Sequence, residues 1–164
     1  MLTAKKVVQQ ALNGNYIGLP YSRLDCQGLI KRILADAGEA HSARGSNYMW
    51  RYWLSSWGTK NGMLIEPGML VFTIKNDGGE VPRGYRDNRG NAAHVGLVVA
   101  ENKVIHSSKG GVQWATVDDK RWTHTGKMSF VDYSPRDESR FDDKALIQSL
   151  KDIISKLEER TNDH

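Results

Sequence analysis

Apolar residues fall at helical spacing near both ends of the chain and at strand spacing through its middle. Leu2, Val7, Val8, Ala11 and Leu12 mark a short amphipathic helix that Gly14 stops. A turn-rich link, GNYIGLPYSRL, leads to Asp25. From there Cys26, Leu29, Ile30, Ile33, Leu34 and Ala37 form one face of a second helix, with Asp25 as N-cap and Gly38 as its end. The aromatic-rich stretch from Ser46 to Trp57 predicts a third. After the turn signal EPG the pattern changes to β-rich runs: MLVFTI (69–74), HVGLVVA (94–100), KVIHSS (103–108), GVQWATV (111–117) and KMSFVDY (127–133). Between the first two lies a polar, glycine-rich segment, 75–92, too long for an idle connection; it reads as a loop on the rim of a site.

Asp142 to Arg160 predicts a fourth helix, with Leu146, Ile147, Leu150, Ile153, Ile154 and Leu157 on one face. Barely two heptads is too short for an independent coiled coil. Helices first and strands after predict an α+β fold, helices packed on a small, mostly antiparallel sheet. Residues 1–141 form one domain in this reading. Residues 142–164 form a C-terminal amphipathic helix that packs on it or leads to another module.

Composition narrows this little. The 164 residues suit one domain, and a net charge of +4 favours anionic surroundings such as a bacterial wall or nucleic acid without choosing between them. Neither a basic helix nor an aromatic-studded strand motif is present to suggest nucleic acid. No run approaches the roughly 18 apolar residues of a membrane span. The N-terminus lacks the apolar core of a signal peptide. The five tryptophans and six tyrosines suit a core or a surface that grips rings.

The one cysteine cannot form an internal disulfide, and it sits in the first turn of a predicted helix. Unpaired N–H groups and the positive end of the helix dipole favour a thiolate there. The same N–H groups can receive charge from a carbonyl under attack. An inert core thiol would suit that apolar face too. His94 opens a predicted strand and His106 lies near the end of the next, so one imidazole can act as base and a second polar residue can orient it. An odd-numbered loop centred on Ala100 would set His94 directly opposite His106. A two-residue turn at Glu101-Asn102 would part them unless a bulge restored the phase. The odd loop or a bulge is therefore expected.

The series PYSRLDCQGLI, IEPGMLVF, AHVGLVV and KVIHSS resembles the NlpC/P60 family of papain-like cysteine peptidases, from about Tyr16 to Tyr133. GVQWATVDDKRW, with its tryptophan near the end, resembles that family's next strand. The resemblance implies a papain-like α+β fold and hydrolysis of peptide bonds in bacterial peptidoglycan, at the γ-D-glutamyl bond to the diamino acid. It implies Cys26 as nucleophile, His94 as general base and His106 as the group orienting it. It further implies Tyr21 at the oxyanion site and Asp25 holding a peptide amine. Gln27 stands where the family commonly carries serine and enlarges the cleft wall. No cofactor is implied, and a monomer is expected. Action at the cell wall without a signal peptide implies phage or prophage delivery, effector secretion or a longer parent chain.

Other readings stay open at this stage. The same Cys-His chemistry serves an N-acetylmuramoyl-L-alanine amidase, as in the related CHAP group, or an acyltransferase with a more apolar cleft. A non-catalytic wall-binding module would use Trp50, Tyr52, Trp53 and Trp57, although core packing is expected of Trp53. A metal site of Cys26, His94 and His106 lacks any close-spaced pair such as C-x-x-C. His41 and His124 lie in polar segments and are expected at the solvated surface.

Overall fold

The computed structural model describes residues 1–76, 85, 87–134 and 137–162. Two units divide the chain, Met1–Tyr133 and Ser134–His164. In chain order the first holds β1 (Leu2–Thr3), α1 (Ala4–Asn13), α2 (Cys26–Asp36), α3 (Ser46–Tyr48), a π-helical turn (Met49–Trp53), β2 (Leu54–Thr59) and β3 (Leu70–Lys75). There follow β4 (Asn91–Ala100), β5 (Lys103–Ser108), β6 (Gly111–Ala115), β7 (His124–Met128) and β8 (Val131–Asp132). The second unit is α4, Asp137–Asn162, which starts ahead of the apolar face that announces it. Among the described residues no helix is long and apolar enough to cross a membrane.

Six strands form one antiparallel sheet in the order β2-β7-β3-β4-β5-β6, while β1 and β8 pair in parallel as a separate ribbon. Alternation along β4 and β5 decides what each face carries. Val95, Leu97, Val99 and Ile105 enter the main core with Leu29, Ile30 and Ile33 of α2. The opposite face holds a smaller cluster of Val71, Val98, Val104 and Trp122.

Two stretches differ in detail from the sequence reading. The helix expected within Ser46–Trp57 is present and ends at Trp53, where the wide π turn turns Met49, Trp50, Arg51 and Trp53 inward together. Leu54–Thr59, with two serines and Gly58, is a weak helix former and pairs instead with β7 as an edge strand. The run 127–133 holds the end of β7 and the short β8, since Val131 and Asp132 leave the large sheet to pair with Leu2 and Thr3.

Half of the predicted rim loop, residues 77–84 and 86, lies outside the described residues. Its C-terminal end is held firmly. Arg51, inserted from the π turn, pairs with both carboxylate oxygens of Asp87 at 2.7 and 2.9 Å and donates to Gly90 C=O at 2.7 Å. Asn47 Oδ1 accepts from Arg51 and from the Ala92 backbone N–H. Such a bidentate fork fixes geometry as well as charge, so the start of β4 is registered against α3.

Candidate active site

The tip of α2 is built as its sequence dictates. Asp25 Oδ1 accepts from the Gly28 N–H at 2.7 Å, an N-cap worth about 1 kcal/mol. A Cβ at position 28 would lie 2.7 Å from that oxygen, so glycine leaves room for the cap. Cys26 is the first helical residue, buried at 8% exposure.

Two contacts seat this tip against the sheet. Pairing between β4 and β5 runs only as far as Gly96 opposite His106. Past that point, fully buried Ser107 donates its hydroxyl to the Leu24 carbonyl. The Val95 backbone hydrogen-bonds the Cys26 thiol. The helix tip thus occupies the place where two strands part, with the sulfur bound to the peptide that follows His94.

The bulge expected in the hairpin is present, between Val98 and Ala100, and it restores the phase. It does not set His94 opposite His106. Gly96 faces His106, and His94 lies one pleat further along the same face, on the diagonal. The diagonal suffices: His94 Nε2 and His106 Nδ1 are 2.9 Å apart. Glycine at 96 is sterically required, since a Cβ there would meet Val104 at 2.7 Å, Trp122 at 3.0 Å and His106 at 3.3 Å.

Three residues behind this pair escaped the sequence reading in whole or part. Trp122, 1% exposed, stacks on the His94 ring (5.4 Å between centroids, 12° between planes) and meets His106 edge-on. Only the matching of GVQWATVDDKRW hinted at it. Asp119 and Arg121, paired with each other at 3.3 Å, act electrostatically on His106 with opposite sign. No local signal marks them, because a turn between β6 and β7 brings them back under the sheet.

Burial governs the titration here. It lowers His94 from 6.5 to about 4, helped by His106 and Arg121, and lowers His106 to about 4, helped by Arg121 and opposed by Asp119. Burial also pushes the Cys26 thiol up, and the Val95, Gln27 and Cys26 amides only partly oppose this. The expected helix-tip stabilisation of a thiolate is therefore real but outweighed. At neutral pH these directions leave the thiol protonated and both imidazoles neutral. Iodoacetamide alkylation of Cys26 should accordingly keep rising with pH through the alkaline range. A flat rate from about pH 5 to pH 8 would instead indicate a preformed ion pair.

The remaining residues divide. Tyr21 is 44% exposed, and its hydroxyl pKa is raised by partial burial and then by the nearby Cys26 and Asp25 charges, which puts it within electrostatic reach of the thiol. Gln27 donates to Asp25 Oδ2 at 3.3 Å, and its buried Oε1 has no partner among the described residues. Trp50 and Trp53 are core, whereas Tyr52 and Trp57 are exposed. His41 and His124 are not simply solvated. His41 stacks on Phe130 at 3.5 Å and pairs with Glu39, and His124 bonds Thr123 and abuts Trp50. Aromatic neighbours from distant segments drew both rings in.

Comparison with known proteins adds to this geometry. The profile of the NlpC/P60 family matches residues 13–128. Among solved structures, the P60 domain of an antigen from M. avium subspecies paratuberculosis superposes with a TM-score of 0.52 at 16% identity, covering 76% of this chain and 96% of that one. At that identity the likeness speaks for the fold. No curated protein matches the chain significantly.

Proposed function

We propose that this chain, which belongs to the NlpC/P60 family, is a cysteine endopeptidase acting on the stem peptides of bacterial peptidoglycan at the γ-D-glutamyl bond to the diamino acid. The observation carrying the reading is the hydrogen-bonded His94–His106 pair on the strand whose next residue, Val95, hydrogen-bonds through its backbone to the thiol of a helix tip.

The chemistry follows from the hydrogen-bond inventory. With Nε2–H of His94 donating to His106 Nδ1, His94 Nδ1 is left as a base. It has no protein partner among the described residues. As a carbonyl approaches, the Cys26 proton moves to His94 Nδ1 and the sulfur–carbon bond forms. The oxyanion is received by N–H groups of the α2 tip and by the Tyr21 hydroxyl. Collapse breaks the carbon–nitrogen bond, and His94 returns its proton to the leaving amine. Water, deprotonated by His94, then cleaves the thioester; the proton passes to sulfur and the acid departs. His106 holds the ring and tautomer of His94, and Trp122 limits its rotation.

Asp25 carries carboxylate oxygens at the same helix tip, one of them bonded by Gln27, and these suit a free peptide amine of the substrate. The site of action is the bacterial cell wall.

Incubation with purified peptidoglycan tests the reading. New primary amines should appear in proportion to enzyme and time, without added metal or cofactor. Their absence across Gram-positive and Gram-negative walls would refute it.

A further inference from the structure

A second feature lies at the mouth of β4, outside the Cys-His centre. The backbone from Arg44 to Tyr48, with the rings of Tyr52 and Tyr85, encloses an open cavity of about 640 Å³. Its floor is rigid. Ser46 donates its hydroxyl to the Ala92 carbonyl, and Asn47 Nδ2 donates to Asn91 Oδ1 at 2.8 Å, so both side chains are committed to β4. His94 follows Ala92 by two residues, which is about 7 Å along a strand.

The groups facing the cavity are uncommitted. Tyr48 and Tyr52 lean together with centroids 4.8 Å apart, and Tyr52 is 62% exposed. Tyr85 stands 6.4 Å from Tyr52, braced by the Arg51 guanidinium 4.6 Å from its centroid. Neither the three phenol hydroxyls nor Arg44 has a hydrogen-bond or ion-pair partner among the described residues. Nothing lies within 4 Å of a Cβ built on Gly45, leaving its backbone open to a ligand. Among the described residues no aliphatic side chain lines the space, and its aromatic and polar groups favour a ligand with both apolar faces and polar edges.

We infer that this cavity binds an N-acetylated amino-sugar ring of the glycan strand, which deepens the hydrolase reading and rests on it for the substrate's identity. A pyranose has apolar C–H faces and hydroxyl edges, matching phenol rings that are flat and apolar with a polar rim. Arg44 supplies donors for an acetamido carbonyl. A wall-derived substrate would then be held by its sugar here while its peptide runs along β4 to Cys26.

Isothermal titration of the full chain with an N-acetylglucosamine tetrasaccharide tests this without any turnover. Binding should weaken at least tenfold in Tyr52→Ala and persist in Tyr52→Phe, which keeps the ring. Tyr52 is exposed enough for both variants to fold, which circular dichroism checks. Absence of binding, equal binding in Tyr52→Ala, or Tyr52-dependent binding of a sugar-free stem tetrapeptide in its place would overturn the inference. Sugar binding without amine release would uphold this site while refuting the hydrolase; amine release without sugar binding would do the reverse.

Discussion

Cys26→Ala should lower amine release from peptidoglycan by roughly ten-thousand-fold or more, to the level that binding and the oxyanion donors alone would sustain. The loss is chemical and not structural. Cys26 contributes a small side chain at the edge of the core, and alanine keeps the helix start, the Asp25 cap and the Ser107 tether to Leu24. The thermal midpoint should therefore move by only a few degrees. Circular dichroism alongside the amine assay separates the two outcomes. A variant that keeps the wild-type rate would remove the nucleophile from the account.

The second large effect is graded across the imidazole pair. His94→Ala should cost about a thousand- to ten-thousand-fold in kcat/KM, because in the proposed mechanism both proton transfers pass through its ring. His106→Ala should cost about a hundredfold, the scale expected when a catalytic group loses its orientation but stays present. His106→Gln, which keeps a polar partner for His94 Nε2, should recover part of that loss. The ordering is the discriminating feature. A larger defect at His106 than at His94 would reverse the roles, and equal small defects would move the base elsewhere. His106 is 1% exposed, so its variants must be compared by denaturant unfolding as well as rate.

How far the sequence disclosed this molecule depended on how local each signal was. The α2 tip was legible because Asp25, Cys26 and Gly28 satisfy one another within a single turn. The strands β3 to β6 were legible from period and turn residues, with the small shifts at their ends usual for such readings. The helix within Ser46–Trp57 was legible, but the strand that follows it was not, because only pairing with β7, far along the chain, makes Leu54–Thr59 a strand. The position of His94 relative to His106 turned on one extra residue at Val99, which the alternation of side chains required in kind but could not locate. Asp119, Arg121 and the burial that keeps the thiol protonated are tertiary properties. They arise when a turn folds back under the histidine face, and no spacing in the chain announces them.

That burial also refines the chemical picture. A helix tip alone argues for a resting thiolate, yet burial of Cys26, at 8% exposure, pushes its thiol up and keeps it protonated at neutral pH. In the proposed mechanism, activation would then be coupled to binding, with proton transfer to His94 favoured once a polar carbonyl enters and negative charge can spread onto the oxyanion donors.

Mass spectrometry of the fragments released from purified peptidoglycan tests the central claim most directly. The account predicts muramoyl sugars that keep L-alanine and D-glutamate, with the new amine on the diamino acid. Sugars stripped of L-alanine, or an unchanged fragment pattern after digestion with the active enzyme, would contradict it.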